Sequence, residues 1–172
     1  HRRLAIIDLT ENGHQPMSYN EDFIITFNGE IYNYIELKKE LQNVGHRFQS
    51  SSDTEVILAS YAEWGEECVK KFNGQWAFAI HDKKRNIVFA SRDRFGIKPL
   101  YYTINDDNFI FGSEIKQVIH FQNKNKLNMK ILMDYLVVGF EEHSDETFFD
   151  GVFKLKQSHN LVYDLESHTF KD

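Results

Sequence analysis

Residues 76–80 read WAFAI, and all five are apolar. The side chains of a strand alternate between two faces, so a strand that is apolar throughout must be covered on both faces. The polar stretch DKKRN (82–86) follows, and then IVFAS (87–91), which is again mostly apolar. This pattern predicts a hairpin with a buried central strand and a fold of more than two layers.

Further strands are predicted from short apolar runs bounded by turn residues. They cover residues 4–9, 23–27, 100–104, 109–111, 148–153 and 160–164. Residues 13–18 (GHQPMS) are predicted to form a loop, and residues 92–102 (RDRFGIKPLYY) a structural turn between strands.

Two amphipathic helices are predicted from apolar residues at intervals of three and four. The apolar face of the first comprises Ile31, Tyr34, Leu37, Leu41 and Val44. Gly45 follows as the residue that ends this helix. The second begins near SDTE (52–55), which has the spacing of a capping box. Its inner face comprises Ile57, Tyr61, Trp64 and Cys68.

Two more helices are predicted in the second half of the chain, over residues 113–120 and after an N-cap at Asn128. The apolar face of the latter comprises Ile131, Leu132, Tyr135 and Leu136. Because helices occur in pairs and strands in hairpins, we expect an α+β fold with helices on antiparallel sheets.

The composition favours one globular domain in a reducing compartment. The chain has 172 residues, 41% of them hydrophobic, and a net charge of −6. No apolar run approaches the length that crosses a bilayer, and the interspersed charges suggest neither nucleic acid nor a membrane as partner. Cys68 is the single cysteine, which excludes an internal disulfide and favours a cytoplasmic location. The scattered histidines predict no metal site.

The strongest candidate for chemistry is TFNGEIYNY (26–34). Asn28-Gly29 is typical of a hairpin turn, yet the residues after it have a helical period. We therefore expect a strand-to-helix junction whose free N–H groups face outward. Gly29 would let a ligand approach the backbone, and the Asn28 amide would add a second donor for an oxyanion. The alternative is a plain turn into a helix.

Three other residues have both a functional and an ordinary interpretation. Arg3 precedes an apolar strand, where it could bind a carboxylate through two hydrogen bonds or lie solvated at the surface. Asp53 is expected to cap a helix and could instead pair with a ligand ammonium. Cys68 shares a helical register with apolar residues, which favours a buried thiol over a nucleophile.

Six motifs occur in order along residues 1–120: HRRLAIIDL, FNGEIYNY, SSDTEVIL, NGQWAFAIHD, SRDRFGIKPLYY and GSEIK. In these motifs the chain resembles the glutaminase domain of glutamine-hydrolysing asparagine synthetases, which are class II glutamine amidotransferases with an N-terminal nucleophile. Phe27 before Asn28 resembles this branch, since the phosphoribosyl and glucosamine branches usually carry His there. The resemblance implies a four-layer αββα sandwich of antiparallel sheets, of the Ntn-hydrolase type and N-terminally truncated. Residues 1–172 would form one partial type-2 glutamine amidotransferase domain.

The resemblance also implies a site for L-glutamine. The Asn28 side chain and the Gly29 N–H would form the oxyanion hole for the side-chain carbonyl. Arg3 would bind the α-carboxylate, and Glu30 and Asp53 would lie near the α-ammonium, Asp53 more directly. The wall of the pocket would comprise Leu4, Ala5, Ile6 and Ile7.

The nucleophile that the resemblance implies is an N-terminal Cys, whose own α-amino group serves as general base. Position 1 is His, the chain enters an apolar run at once, and Cys68 does not match this nucleophile. We therefore expect a fragment whose Cys lies upstream of His1 and which does not hydrolyse glutamine alone.

No cofactor is expected in this domain. ATP and magnesium would belong to a C-terminal synthetase domain of the same polypeptide, where aspartate is amidated, and a homodimer is a further possible assembly. Two alternatives stay open: a non-catalytic glutamine- or partner-binding module of the same fold, and the glutaminase domain of an amidotransferase with another acceptor.

Overall fold

Two antiparallel sheets with helices packed against them form the part of the chain that the structure describes. The computed structural model describes residues 7–8, 13–105, 108–122, 126–140 and 143–171, with the backbone alone at position 171. The strands are β1 (Met17–Tyr19), β2 (Phe23–Ile31), β3 (Gly74–Asp82), β4 (Ile87–Arg92), β5 (Tyr101–Asn105), β6 (Asn108–Gly112), β7 (Phe153–Lys154), β8 (Asn160–Asp164) and β9 (Phe170–Lys171). The helices are α1 (Tyr34–Asn43), α2 (Asp53–Trp64), α3 (Ile115–Ile119) and α4 (Met129–Val138), with a 3₁₀ helix at Gly65–Lys71.

The strands form a large and a small sheet. The large sheet has the order β1-β2-β3-β4-β8-β9, and the small sheet has the order β6-β5-β7. All neighbouring strands are antiparallel. The β3–β4 hairpin and the β5–β6 hairpin confirm the predictions made from residues 76–91 and 100–111.

The residues of β3 belong alternately to two hydrophobic cores. Trp76, Phe78 and Ile80 belong to a core shared with α1 and α2. Ala77 and Ala79 belong to a second core, which lies between the two sheets. This arrangement confirms that the strand is covered on both faces. It explains why every residue of WAFAI is apolar.

The outer face of the small sheet is covered by α3 and the residues after it. Tyr102 of β5 belongs to the core between the sheets, so Thr103 points the other way. Gln122 Nε2 donates to Thr103 Oγ1 at 3.4 Å, and Asn105 Nδ2 donates to the Phe121 carbonyl at 2.8 Å. α1 and α2 cover the face of the large sheet that points away from the small sheet. The predicted αββα layering is therefore confirmed.

The ends of α1 and α2 match the sequence prediction only in part. Gly45 follows the helix end with a φ of +104°, as expected for a residue after the C-cap. Ser52 caps α2 by accepting from the Thr54 N–H, so Asp53 is the first helical residue and not the cap. Glu55 does not complete a capping box, because its carboxylate accepts from the N–H groups of Gln49 and Ser50.

Several strand predictions differ from the structure. The strand at 4–9 falls largely outside the described residues, and the two that are described, Ile7 and Asp8, lie in no strand. β1 takes up the end of the predicted loop at 13–18. The strand at 148–153 is wrong except for Phe153, because Thr147 Oγ1 forms local turn bonds with the Phe149 and Val152 backbone.

The helix predicted after Asn128 is present, but its apolar face is not buried as expected. Asn128 Oδ1 accepts from the Ile131 N–H and caps α4. Ile131 is 2% exposed, whereas Tyr135 is 41% and Leu136 is 66% exposed. The prediction is wrong for these two residues because only the first turn of α4 packs against the rest of the described residues.

Candidate active site

Asn28, Gly29 and Glu30 lie inside a strand and not at a strand-to-helix junction. β2 continues to Ile31, and residues 28–31 pair with residues 77–74 of β3. The predicted junction is wrong because this pairing extends the strand, and α1 begins only at Tyr34. Ile31 therefore belongs to the strand and not to the helical face. The N-terminus of α1 supplies no donors beside Asn28.

Gly29 is required by the close approach of β2 and β3. A Cβ at this position would lie 2.1 Å from the Gln75 carbonyl oxygen and 2.8 Å from Trp76 Cα. Its φ of +150° is also one that side-chain-bearing residues rarely adopt. The missing side chain thus accommodates the neighbouring strand. That it also lets a ligand approach the backbone stays a prediction.

The Gly29 N–H nevertheless points away from β3. Phe27 N donates to Gln15 Oε1 at 2.7 Å, and Ile31 N donates to Asp53 Oδ2 at 3.0 Å. Both acceptors lie on the side of β2 opposite β3. Because N–H groups alternate along a strand, the intervening Gly29 N–H points to the same side, between these two side chains. The Gly29 N–H therefore points away from β3 because of the alternation along β2, and it is the backbone donor that the sequence predicted.

Asn28 projects from β2 toward the small sheet. It shares this face with Thr26 and Glu30, since Phe27 and Ile31 belong to the core on the opposite face. Asn28 Nδ2 donates to Ser113 Oγ at 3.3 Å. The amide nitrogen carries two hydrogens, so it can donate to Ser113 and to a ligand at once.

A cavity of about 900 Å³ opens between the two sheets at this point. Five of the residues predicted from the sequence line it: Ile7, Asn28, Gly29, Glu30 and Asp53. Its opposite wall comprises residues 98–100 and 111–114 with Lys116, Gln117 and Phe121. The volume lies in the range of small-molecule sites. Arg3, Leu4, Ala5 and Ile6 lie outside the described residues, so their roles stay predictions.

Asp53 brings a buried carboxylate to the edge of the cavity. It is 3% exposed and lies in the first turn of α2, where the helix dipole favours negative charge. Its hydrogen bond from the Ile31 N–H fixes the carboxylate against the end of β2. A buried carboxylate at a cavity wall is suited to pairing with a ligand ammonium.

Gln15 and Ser113 were not singled out from the sequence. Gln15 joins β2 to α2, because its Oε1 accepts from Phe27 N while its Nε2 donates to Thr54 Oγ1 at 3.4 Å. No sequence signal marks it, since it lies in an ordinary polar loop before Pro16. Ser113 lies in the GSEIK motif, and only the fold brings it to Asn28.

The RDRFGIKPLYY turn is structural, as predicted. Asp93 is fully buried and its carboxylate accepts from the N–H groups of Trp76, Phe95, Ile97 and Lys98. Arg92 donates to the carbonyls of Gly96, Lys98 and Leu155. These bonds fix the connection between the large and small sheets, and with it Lys98 on the cavity wall.

Cys68 is a core thiol, as predicted. It is fully buried in the core beneath α2, and burial raises the pKa of its thiol to about 12. A protonated, inaccessible thiol is a poor nucleophile. Within the described ranges, no three His, Cys, Asp or Glu side chains are grouped so that they could hold a metal ion. Nor does any helix in those ranges have the length and apolarity to cross a membrane.

A family model described as "Glutamine amidotransferase domain" matches residues 1–172. The chain belongs to this family. The predicted family assignment is thereby confirmed, and the cavity lies in a glutamine amidotransferase domain.

Relatives of this glutamine amidotransferase domain include longer proteins. A putative glutamine-hydrolysing asparagine synthetase 2 of Methanocaldococcus jannaschii is 42% identical over 189 residues, covering 99% of the chain and 36% of that protein. Asparagine synthetase 3 of Bacillus subtilis is 43% identical over 167 residues, covering 95% of the chain and 27% of that protein. The chain thus spans 36% and 27% of the length of these two relatives.

A solved structure supports the fold of the domain. Glutamine phosphoribosylpyrophosphate amidotransferase from B. subtilis matches with a TM-score of 0.67 and 21% identity, over 99% of the chain and 33% of that protein. Identity this low supports the architecture alone. It confirms the predicted α+β fold of Ntn-hydrolase type.

Proposed function

We propose that the domain binds L-glutamine in the cavity between the sheets, as the glutaminase part of an asparagine synthetase. Such an enzyme hydrolyses glutamine to glutamate and ammonia and uses the ammonia for ATP-dependent amidation of aspartate. The observation that carries the proposal is the convergence of Asn28, Gly29 and Asp53 on one cavity. The relatives from M. jannaschii and B. subtilis support the asparagine synthetase assignment.

Asn28 and Gly29 would act on the carboxamide of glutamine. When a nucleophile attacks, the carbonyl oxygen gains negative charge. The Asn28 amide and the Gly29 N–H would donate hydrogen bonds to that oxygen. Both donors are held by β2, so little rearrangement accompanies the charge development. The attacking thiol is not Cys68, because Cys68 is buried beneath α2.

Charged residues around the cavity would select the zwitterionic end of glutamine. Asp53, with Glu30 nearby, would pair with the α-ammonium, and Arg3 would bind the α-carboxylate. A site built to pair with both charges rejects an analogue that reverses or lacks one of them. The ammonia acceptor, ATP and magnesium would be bound by a synthetase domain of the same polypeptide, and this domain would carry no cofactor itself.

Calorimetric titration of the 172-residue chain tests the binding proposal. We expect L-glutamine to bind and D-glutamine to bind much more weakly. Asp53→Asn keeps an oxygen acceptor for Ile31 N but removes the charge, so glutamine affinity should fall by at least about 30-fold. The matched control Asp134→Asn, on α4, should leave affinity unchanged. Absence of L-glutamine binding at millimolar concentration would overturn the proposal.

A second candidate is a glutaminase domain that serves another acceptor. It is favoured by an amidase of Gibberella zeae, named Amidase chry2, which is 34% identical over 163 residues and of which the chain covers 24%. The native gene product, supplied with glutamine, ATP, magnesium and aspartate, distinguishes the candidates. Asparagine formation supports the synthetase, whereas glutamate release without asparagine supports another acceptor. Glutamine binding with neither product would indicate a binding module.

A further inference from the structure

We infer that Ser113 is a positioning residue that orients the Asn28 amide toward the reacting carbonyl oxygen; this rests on the proposed function. The two residues are 85 positions apart in the chain and come from different sheets. Asn28 lies on β2 of the large sheet, and Ser113 follows β6 of the small sheet. The hydrogen bond between Asn28 Nδ2 and Ser113 Oγ is 3.3 Å long, and both residues line the cavity between the sheets.

The orientation of this amide matters because its two ends have opposite polarity. An asparagine amide has nearly the same shape when it is flipped, but a flip exchanges two N–H donors for a carbonyl oxygen. A flipped Asn28 would place its oxygen against the developing oxyanion, where the two negative atoms would repel each other. In this structure the Ser113 hydroxyl accepts from one N–H of Asn28 Nδ2, which leaves the second N–H of that nitrogen for the ligand. A hydroxyl can also donate, so Ser113 fixes the position of the amide group, and the negative charge that develops on the ligand selects the orientation with Nδ2 toward it. In the described part of the chain, no other side chain hydrogen-bonds to the Asn28 amide.

Ser113 is itself held in a fixed place by the residues on either side. A Cβ at Gly112 would lie 2.7 Å from Gln117 Oε1, so Gly112 packs directly against that side chain. Gln117 Oε1 accepts from Glu114 N at 3.1 Å, and Gln117 N donates to the Glu114 carbonyl at 3.0 Å. These bonds close the first turn of α3 directly after Ser113. The hydroxyl is therefore presented to Asn28 by a fixed turn.

Steady-state glutaminase kinetics of the native gene product test the inference. Ser113→Ala should lower kcat for glutamine hydrolysis by about 3- to 10-fold, the size expected for one neutral hydrogen bond. KM for glutamine should change by less than about twofold, because the amide matters most when charge develops. Ser113→Thr retains the hydroxyl and should retain kcat. The control Ser167→Ala, in an exposed turn, should have no effect on either constant.

A double-mutant cycle separates positioning from a merely structural role. Asn28→Ala should lower kcat by about 10²–10³-fold. With Asn28 removed there is no amide to orient, so adding Ser113→Ala should cause no further loss. An unchanged kcat in Ser113→Ala, a loss in Ser113→Thr as large as in Ser113→Ala, or the same loss on the Asn28→Ala background would each overturn the inference.

The proposed function and the role of Ser113 would be contradicted by different results. A wild-type protein that releases no glutamate from glutamine would overturn the proposed function, and this inference with it. A wild type that hydrolyses glutamine while Ser113→Ala keeps its full kcat would overturn only the role of Ser113.

Discussion

At the scale of single residues, Gly29 is a position where substitution should be severely damaging. Gly29→Ala would place a Cβ 2.1 Å from the Gln75 carbonyl oxygen, so β2 and β3 would have to separate. We expect the free energy of unfolding to fall by about 3 kcal/mol or more, at the upper end of overpacking substitutions. Urea unfolding followed by tryptophan fluorescence, from Trp64 and Trp76, measures this loss.

Gly45→Ala is the matched control for Gly29→Ala. Gly45 also has a positive φ, but a Cβ there would meet no atom within 4 Å. It should cost only the backbone strain, about 1–2 kcal/mol. Equal losses in the two variants would show that contact with β3 does not determine the requirement for glycine at position 29.

Cys68 gives a prediction about alkaline pH. Burial raises its pKa from 9.0 to about 12, so the folded protein holds the proton more tightly than the unfolded chain. The stability gained from the protonated thiol is complete below pH 9 and is lost as the pH rises toward 12. Each pH unit in this window should lower the free energy of unfolding by about 1.4 kcal/mol. Burial raises the pKa of Tyr61 as well, which acts in the same direction at higher pH.

The variant Cys68→Ala isolates this contribution. At pH 7.5 it should be less stable than the wild type, because a core side chain is shortened. At pH 10.5 the difference should shrink by about 2 kcal/mol, since only the wild type loses stability through the thiol. Denaturant unfolding at the two pH values measures the difference in free energy of unfolding between the two proteins. A difference that does not change with pH would contradict the raised pKa of Cys68.

At the scale of elements, α4 shows that residues on one predicted apolar face can differ widely in burial. Ile131 is 2% exposed and Leu136 is 66% exposed, although both belong to the predicted apolar face. Ile131→Ala should lower the free energy of unfolding by about 2–4 kcal/mol. Leu136→Ala should change it by less than about 0.5 kcal/mol. Thermal and urea unfolding compare the two, and similar losses would mean that α4 packs along both residues.

The sequence predicted most elements but misplaced several strands, and the end of β2 is the error that bears on the site. Apolar spacing was enough for α1, α2 and the β3–β4 hairpin, because local periodicity follows which face is buried. It placed the end of β2 too early, at Phe27, because Asn28 and Gly29 are typical turn residues. They adopt a strand conformation because they pair with Ala77 and Trp76 of β3. A pairing between residues so far apart in the chain leaves no signal in the local sequence pattern.

The candidate site shows the same division between local and distant causes. The motifs marked Asn28, Gly29 and Asp53, and the structure brings all three to one cavity. Gln15 and Ser113 could not be identified, since each acquires its contact through packing between elements far apart in the chain. For Gly29 the structure adds a reason that the sequence did not contain, the close approach of β3.

At the scale of the whole molecule, the two cores should unfold together. β3 contributes Trp76 and Phe78 to one core and Ala77 and Ala79 to the other. Neither core can separate without breaking this shared strand. We expect urea transitions followed by tryptophan fluorescence and by far-ultraviolet circular dichroism to have the same midpoint. Two distinct midpoints would show that the small sheet unfolds independently.

The two alanines of β3 set the space in which a ligand can lie. Ala77 pairs with Asn28 and Ala79 with Thr26, and all four residues line the cavity. Each alanine presents only a methyl group where most strands would place a branched or aromatic side chain. The size limit of the pocket is therefore controlled separately from its polarity. Bulkier residues at these two positions would narrow the range of ligands accepted while every donor and carboxylate stayed in place.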